Sequence, residues 1–451
     1  MKYPASMKIE DLMRAGQMHD PARIALYQAF YDGGRAMEAV KPSLLPVRGF
    51  ETKAGERDST SYKERLEYAP YIRRVAGFID WMRAAVFFRE PMIVVTGNAD
   101  AEYWESMNDD ATGDGTPLAG LMREAVLECQ LHKRCWISCS FPGTTALVHD
   151  PETEEARLRL FRAREITDWQ TTSGVLEWVR CSGMDFLRPD AEPWKKPDRE
   201  RHRWTFMDSE AMAIYEGIRL LKNDAPSVPG SQSGFTSKDA KRIALLPYAG
   251  GLPLFVCEYG SGQWIMEATF DVAKAMFQCD ANIEHLRDKM AFRILKLNVD
   301  RAVIADMILP DLCAMVLRPG EDAQFIGPGA DLLAPLFQDA EKLRRDLMES
   351  IHASAQNAAN IPQAGRLSGE AVQEMREPLR ILLWSFAWPV LQAFTKAIKH
   401  IATLRGEDPN AVEIVGLDAY NVDMDDADGE ILGEEDEDGE AGRSGAESDA
   451  E

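Results

Sequence analysis

The residues that could carry chemistry are few and scattered. Cys129, His132, Cys135 and Cys139 offer three thiols and an imidazole within one short stretch. Their spacings match no common zinc pattern, in which ligands come as close pairs split by a longer loop. Buried thiols are therefore expected, and no metal. Asp423, Asp425, Asp426 and Asp428 could chelate a cation. They stand in a low-complexity acidic run, which reads as a solvated tail. Gly230-Ser231-Gln232-Ser233-Gly234 has the glycines of a nucleophile elbow, but Gln232 stands where the nucleophile belongs. No GxxxxGK[ST] loop occurs, so the chain carries no phosphate-binding motor of its own. No catalytic residue and no cofactor is assigned.

The bulk numbers narrow the class. The chain has 451 residues, 45% of them hydrophobic, and a net charge of −23. That length allows two or three domains with a sizeable core. Fifteen of the acids and a single base, Arg443, lie between Asp418 and Glu451, so the tail holds most of the charge. The remainder is mildly acidic, which excludes the basic footprint of a protein that wraps nucleic acid. It does not exclude a channel through which DNA slides with weak contacts. Seven cysteines, an odd count without CxxC, give no disulfide framework and point to a reducing compartment. The first residues form no signal peptide, and the most apolar run, Ile381 to Phe394, is too short for a membrane span.

Hydrophobic spacing then places the elements. Val272, Met276, Cys279, Ile283, Leu286 and Met290 recur every three or four residues and predict one buried stripe on a long helix. Leu333, Leu336, Ala340, Leu343, Leu347 and Ile351 predict a second. Leu295 to Ile326, rich in Val, Ile and Leu and broken by Pro310, Pro319 and Gly320, predicts short strands between them. The pair reads as a stalk with a β tip. One apolar stripe per helix needs covering neighbours, in a bundle or in a ring of copies.

Ahead of the stalk, residues 7 to 18 predict a short helix. Asp20-Pro21 then caps another, which stops at Gly33-Gly34. Residues 41 to 57 and 97 to 117 predict loops. Residues 58 to 260 predict an α+β body. Beyond the stalk, 356 to 367 is small, polar and nearly uncharged. A helix follows to about Leu404, with Pro378 and Pro389 predicting kinks. The pair Trp384 and Trp388 reads as packing.

This order resembles the portal protein of tailed bacteriophages. The stretches "YKERLEYAPYIRRVAGFIDWM", "VLRPGEDAQFIGPG" and "LSGEAVQEMREPL" carry the resemblance, which spans roughly residues 58 to 400. It implies an α+β portal fold with an α+β wing, a helical stem, a small β-containing clip and a long kinked helix toward the crown. The implied division is an N-terminal arm (1–57), wing (58–267), stem helices (268–292 and 331–355), clip (293–330), tunnel loop (356–367), long helix with a reduced crown (368–404) and acidic tail (405–451).

The resemblance also implies a dodecameric homo-oligomeric ring at a capsid vertex of the virion. Double-stranded DNA would pass through it, driven by the terminase large subunit docked at the clip. Major capsid or scaffold protein and a head–tail adaptor would be further partners, with no membrane. Gln356, Asn357, Asn360, Gln363 and Arg366 would line the tunnel, and Lys342, Arg344 and Arg345 would face the lumen from the stem. Arg301, Asp306, Asp311 and Arg318 would serve docking at the clip. The rival expectations are another head–tail connector or minor capsid protein, and a bacterial α+β enzyme. The enzyme would need a convergent polar constellation in residues 58 to 260.

Overall fold

The computed structural model describes residues 3–14, 16, 20–48, 60–140, 156–173, 175–187, 198–220, 235–247, 251–291, 294–298, 322–326, 333–350 and 369–417. The fold is α+β. A six-stranded antiparallel sheet has the order β1-β9-β8-β7-β6-β5. Its strands are β1 (Ser6–Lys8), β5 (Ile166–Thr172), β6 (Val175–Leu187), β7 (Arg199–Asp208), β8 (Ala211–Leu220) and β9 (Asp239–Pro247). A three-stranded sheet joins β10 (Leu254–Glu258), β3 (Arg134–Ser140) and β4 (Arg157–Phe161).

Two helices, α7 (Leu118–His132) and the long α10 (Gly369–Leu404), pack on the smaller sheet, and α2 (Pro21–Asp32), α3 (Gly34–Leu44), α4 (Thr60–Tyr68), α5 (Arg74–Val86), α6 (Ala101–Asp109) and the long α8 (Ile265–Ala291) join them through helix–helix contacts. Asp20 caps α2, its Oδ1 accepting from the Arg23 N–H at 3.0 Å, and Pro21 takes the first position. Gly33 ends that helix at φ +67°, a conformation open to glycine at little cost.

One principal core spans what the sequence divides into arm, wing and long helix. Tyr27, Phe30, Met37 and Leu44 of the N-terminal stretch join Ile79 and Met82 of α5, Met122 and Val126 of α7, and Phe386, Val390, Phe394 and Ile401 of α10. The arm is therefore a part of the body. The interleaving is stated in the contacts: Phe30 meets Phe270 at 5.0 Å and Tyr71 at 5.5 Å between ring centres.

The chain departs from sequence expectation in several places. Residues 7 to 18 hold β1 and a five-residue helix α1 (Ile9–Met13), whose Ile9 and Leu12 pack on Trp204 and Tyr215 of the large sheet. Helix α3 continues through Pro42 to Leu44, into the predicted loop. The predicted loop at 97 to 117 contains α6, capped by Asp100 and held by Trp104 and Met107 in the core. The segment assigned to an acidic tail from residue 405 is folded as far as Leu417. There β13 (Val412–Val415) pairs with β2 (Met92–Val95). Arg405 lies against the Tyr103 ring at 3.6 Å and reaches Asp100 at 3.3 Å, while the Trp104 indole donates to Glu407 at 2.8 Å.

Helix α10 runs through both prolines as one helix. Pro389 has no N–H to give the carbonyl of Ser385, four residues back. The Gln263 side-chain amide donates to that carbonyl at 3.0 Å, and the Tyr259 hydroxyl donates to the adjacent Phe386 carbonyl at 2.9 Å. The freed acceptor is thus satisfied from outside the helix. Arg380–Leu404 is long and apolar enough to cross a membrane by length and composition. Its apolar side is the wall of the principal core.

Candidate functional site

The stalk is built from α8 and α9 (Leu333–Ser350), with β11 (Ile294–Asn298) and β12 (Asp322–Ile326) paired antiparallel between them. The helices are antiparallel, because Cys279 meets the carbonyl of Leu336 at 3.7 Å while Met276 and Leu347 border the same groove further along. Leu336, Ala340 and Leu343 are half-buried and Leu347 is buried, so α9 turns a single stripe inward. Helix α8 differs from expectation. It buries two faces, one with Phe277 and Phe270 toward α2 and Tyr71, the other with Cys279 toward α9. The sequence stripe captures only the second, since the first belongs to packing against the body.

Lys342 and Arg345 stand exposed on α9. Arg344 is also exposed and lies 4.0 Å from Glu341, a pair worth little in water. Arg344 and Glu341 form one wall of a groove of about 610 Å³, and Arg74, Phe78 and Trp81 of α5 form the other. The floor carries an Arg74–Asp280 ion pair at 2.7 Å. Phe337 is 53% exposed on the same helix. Gln356, Asn357, Asn360, Gln363 and Arg366 lie outside the described residues, as do Arg301, Asp306, Asp311 and Arg318, the 230–234 motif and the acidic run from Asp423.

The cysteines regroup. Cys129 lies 3.6 Å from Cys135 and 3.3 Å from Cys257, sulfur to sulfur, and all three are buried. Strand pairing sets Cys135 directly opposite Cys257. His132 and Cys139 take no part in this group. Among the described residues no fourth Cys, His, Asp or Glu joins them, whereas structural zinc takes four ligands. Burial pushes the Cys129 and Cys135 thiols well up, whereas Cys257 is drawn, against its own burial, down to about 5 by hydrogen bonds from those two thiols, so its inertness rests on enclosure alone. The arrangement fits packed thiols. Accordingly, Cys129, Cys135 and Cys257 should resist alkylation in the folded protein and react on denaturation, and the purified protein should hold no stoichiometric zinc. Rapid native labelling or one zinc per chain by elemental analysis would refute this.

A second polar group was invisible in the sequence. Glu128 and His132 lie one turn apart on α7, and the chain then turns at Lys133 (φ +75°) into β3 and Trp136. Burial raises the Glu128 carboxyl to about 7, against the opposing pull of Arg162, 3.6 Å away. Burial lowers His132 to about 4. Gln28 fixes the histidine tautomer. Its amide N–H donates to Asp32 at 2.9 Å, so its oxygen faces His132 Nε2 at 3.3 Å, and that nitrogen carries the proton. Among the described residues, His132 Nδ1, the Trp136 indole N–H and Glu128 Oε2 have no hydrogen-bond partner. The one sequence signal is the position of His132 among cysteines, whose spacing matches no metal site and says nothing of Glu128 or Trp136.

No protein-family model matches this chain, and no curated protein matches it in sequence. Among solved structures it is similar to a chain from the neck of an empty GTA particle computed with C6 symmetry. The identity there is 11% and the TM-score 0.42, over 84% of this chain and 92% of that one. It is also similar to a chain from the virion of a native gene transfer agent (GTA) particle, at 12% identity and a TM-score of 0.41, over 86% and 92%. A likeness of this degree assigns neither a family nor a function.

Proposed function

We propose that the chain is a portal subunit, a ring-forming virion protein through which double-stranded DNA enters and leaves a capsid. The observation that supports this reading best is the stalk. An antiparallel helix pair carries a small β tip, and α9 is covered on one stripe only. Copies arranged in a closed ring would cover the remainder. In this reading residues 356 to 367 form the narrowest part of the channel. Their polar, nearly uncharged side chains would touch DNA without the phosphate affinity that slows sliding. Lys342 and Arg345 would face the lumen, and residues 293 to 330 would dock the terminase motor. The acidic tail would keep DNA away from one end of the ring or hold a basic partner.

Phe337 gives the test. An aromatic this exposed on α9 would be covered by the adjacent copy. Phe337→Glu should leave the fold of the single chain intact, with unfolding stability within about 0.5 kcal/mol of the parent. It should abolish higher-order assembly in sedimentation. Unchanged assembly by this variant would remove α9 from the subunit contact and overturn the reading.

A further inference from the structure

A pocket of about 570 Å³ opens on the large sheet, where the N-terminal stretch meets β6 and β7. Strand register builds it. Trp178 of β6 stands directly opposite Asp208 of β7, and Phe206 lies two residues away on the same face. Toward β5, Trp178 pairs with Gln170 and Leu176 with Thr171, so Glu177 has no residue opposite. This is a β-bulge, one extra residue that breaks the alternation of faces. Three consecutive residues, Leu176, Glu177 and Trp178, therefore all border the pocket. The Trp178 indole N–H donates to Gln170 at 2.9 Å, which fixes the ring on the sheet. Tyr3 adds a further ring, its hydroxyl donating to Asp208.

The lining selects by charge as well as shape. Tyr3, Trp178 and Phe206 are each half-buried, so their rings are within reach of a ligand. The lining holds two acids, Glu177 and Asp208, and among the described residues no lysine, arginine or histidine. Arg180, directly opposite Phe206, is turned elsewhere. It is 5% exposed, donates to Thr167 at 3.0 Å and to the Asp11 carbonyl at 3.1 Å, and lies 3.7 Å from Asp168. Asp208 accepts from the N–H groups of Glu210 and Ala211 at 2.7 and 2.9 Å, which holds its carboxylate in the wall. Aromatic faces beside fixed negative charge attract a cation with an apolar body, above all a substituted ammonium ion. An anion would be repelled by both acids, and a neutral molecule would gain nothing from them.

We propose that this pocket binds an organic cation of the alkylammonium type, either a quaternary ammonium ion or the ammonium end of a lysine side chain. The rings flank the head and the two acids balance its charge. The site uses no residue of the stalk, so it stands or falls apart from the ring reading.

The test is saturation-transfer NMR on the full chain in about 0.15 M salt, which screens the general attraction of an acidic protein for cations. Choline is the first probe. Dimethylbutanol, the neutral isostere in which carbon replaces the nitrogen, is the control. Choline should bind about tenfold more tightly than the isostere. Trp178→Leu and Phe206→Leu should each weaken choline about fivefold, and Glu177→Gln, at an exposed position, about twofold. Where a ring variant unfolds, Glu177→Gln and the neutral isostere still decide. Nα-acetyl-lysine methylamide separates the two sources. Tighter binding of choline assigns the site to a free quaternary ion, and tighter binding of the lysine derivative assigns it to a partner's side chain. Three results would overturn the proposal. One is the absence of saturation transfer to either cation at millimolar concentration. Another is equal binding of the neutral isostere. The third is choline binding that all three variants leave unchanged.

Discussion

The stability of the Glu128→Gln variant should rise by about 3 kcal/mol between pH 4 and pH 6.5 relative to its parent, and the His132→Phe variant should show the opposite relative slope. Burial holds the Glu128 carboxyl at about 7, above its unfolded value of 4.5. Between those values the unfolded chain has released a proton that the folded chain retains. Stability therefore falls as pH rises through that window and levels off above it. His132 runs the other way. Burial holds it at about 4, below its unfolded value of 6.5. Between those values the unfolded chain has taken up a proton that the folded chain refuses, so stability falls as pH drops. The two windows overlap, and in the parent their slopes largely cancel. Removing one group exposes the other. Urea unfolding of the three proteins across pH 4 to 8 reads the difference curves. Parallel curves for parent and Glu128→Gln would show that the carboxyl is solvated in the folded state.

Removing residues 356 to 366 should leave assembly unaffected and prevent the packaging or retention of DNA. The segment holds one charged side chain, Arg366, and no apolar stripe that could seal subunits together. In the proposed ring, assembly would rest instead on the uncovered side of α9, where Phe337 stands ahead of the deletion. The lost function would be the narrow contact with DNA. Packaged DNA is measured by nuclease protection in capsids carrying the deleted subunit, and assembly by sedimentation. Dissociation on deletion would make the segment an assembly element and remove it from the channel.

What the sequence made readable was local. Asp20 before Pro21 announces the start of α2, and the four-and-three spacing of Leu336, Ala340, Leu343 and Leu347 announces the inward face of α9. The α+β class follows from alternating helical and strand patterns in residues 58 to 260. What stayed hidden depends on distant partners. Helix α6 shows only Trp104 and Met107 as buried positions amid acids, too few for a period. Strand β13 is four residues long and gains its meaning from β2, near the other end of the chain. Pro389 announces the loss of one helical hydrogen bond, but not that Gln263, far back in the chain, takes the freed Ser385 carbonyl. Cys257 joins Cys129 and Cys135 only through strand register. The pocket on the large sheet is assembled from the N-terminal stretch, β6 and β7, and no single stretch announces it. The residues proposed for channel and docking were readable only through family resemblance.

Whether copies of this chain close into a ring is decided by the mass of the assembled particle. Native mass spectrometry, with electron microscopy of the same sample, should show a closed ring of about twelve copies with a central hole. A chain that stays monomeric or dimeric, alone and when co-expressed with capsid and scaffold proteins, would contradict the account.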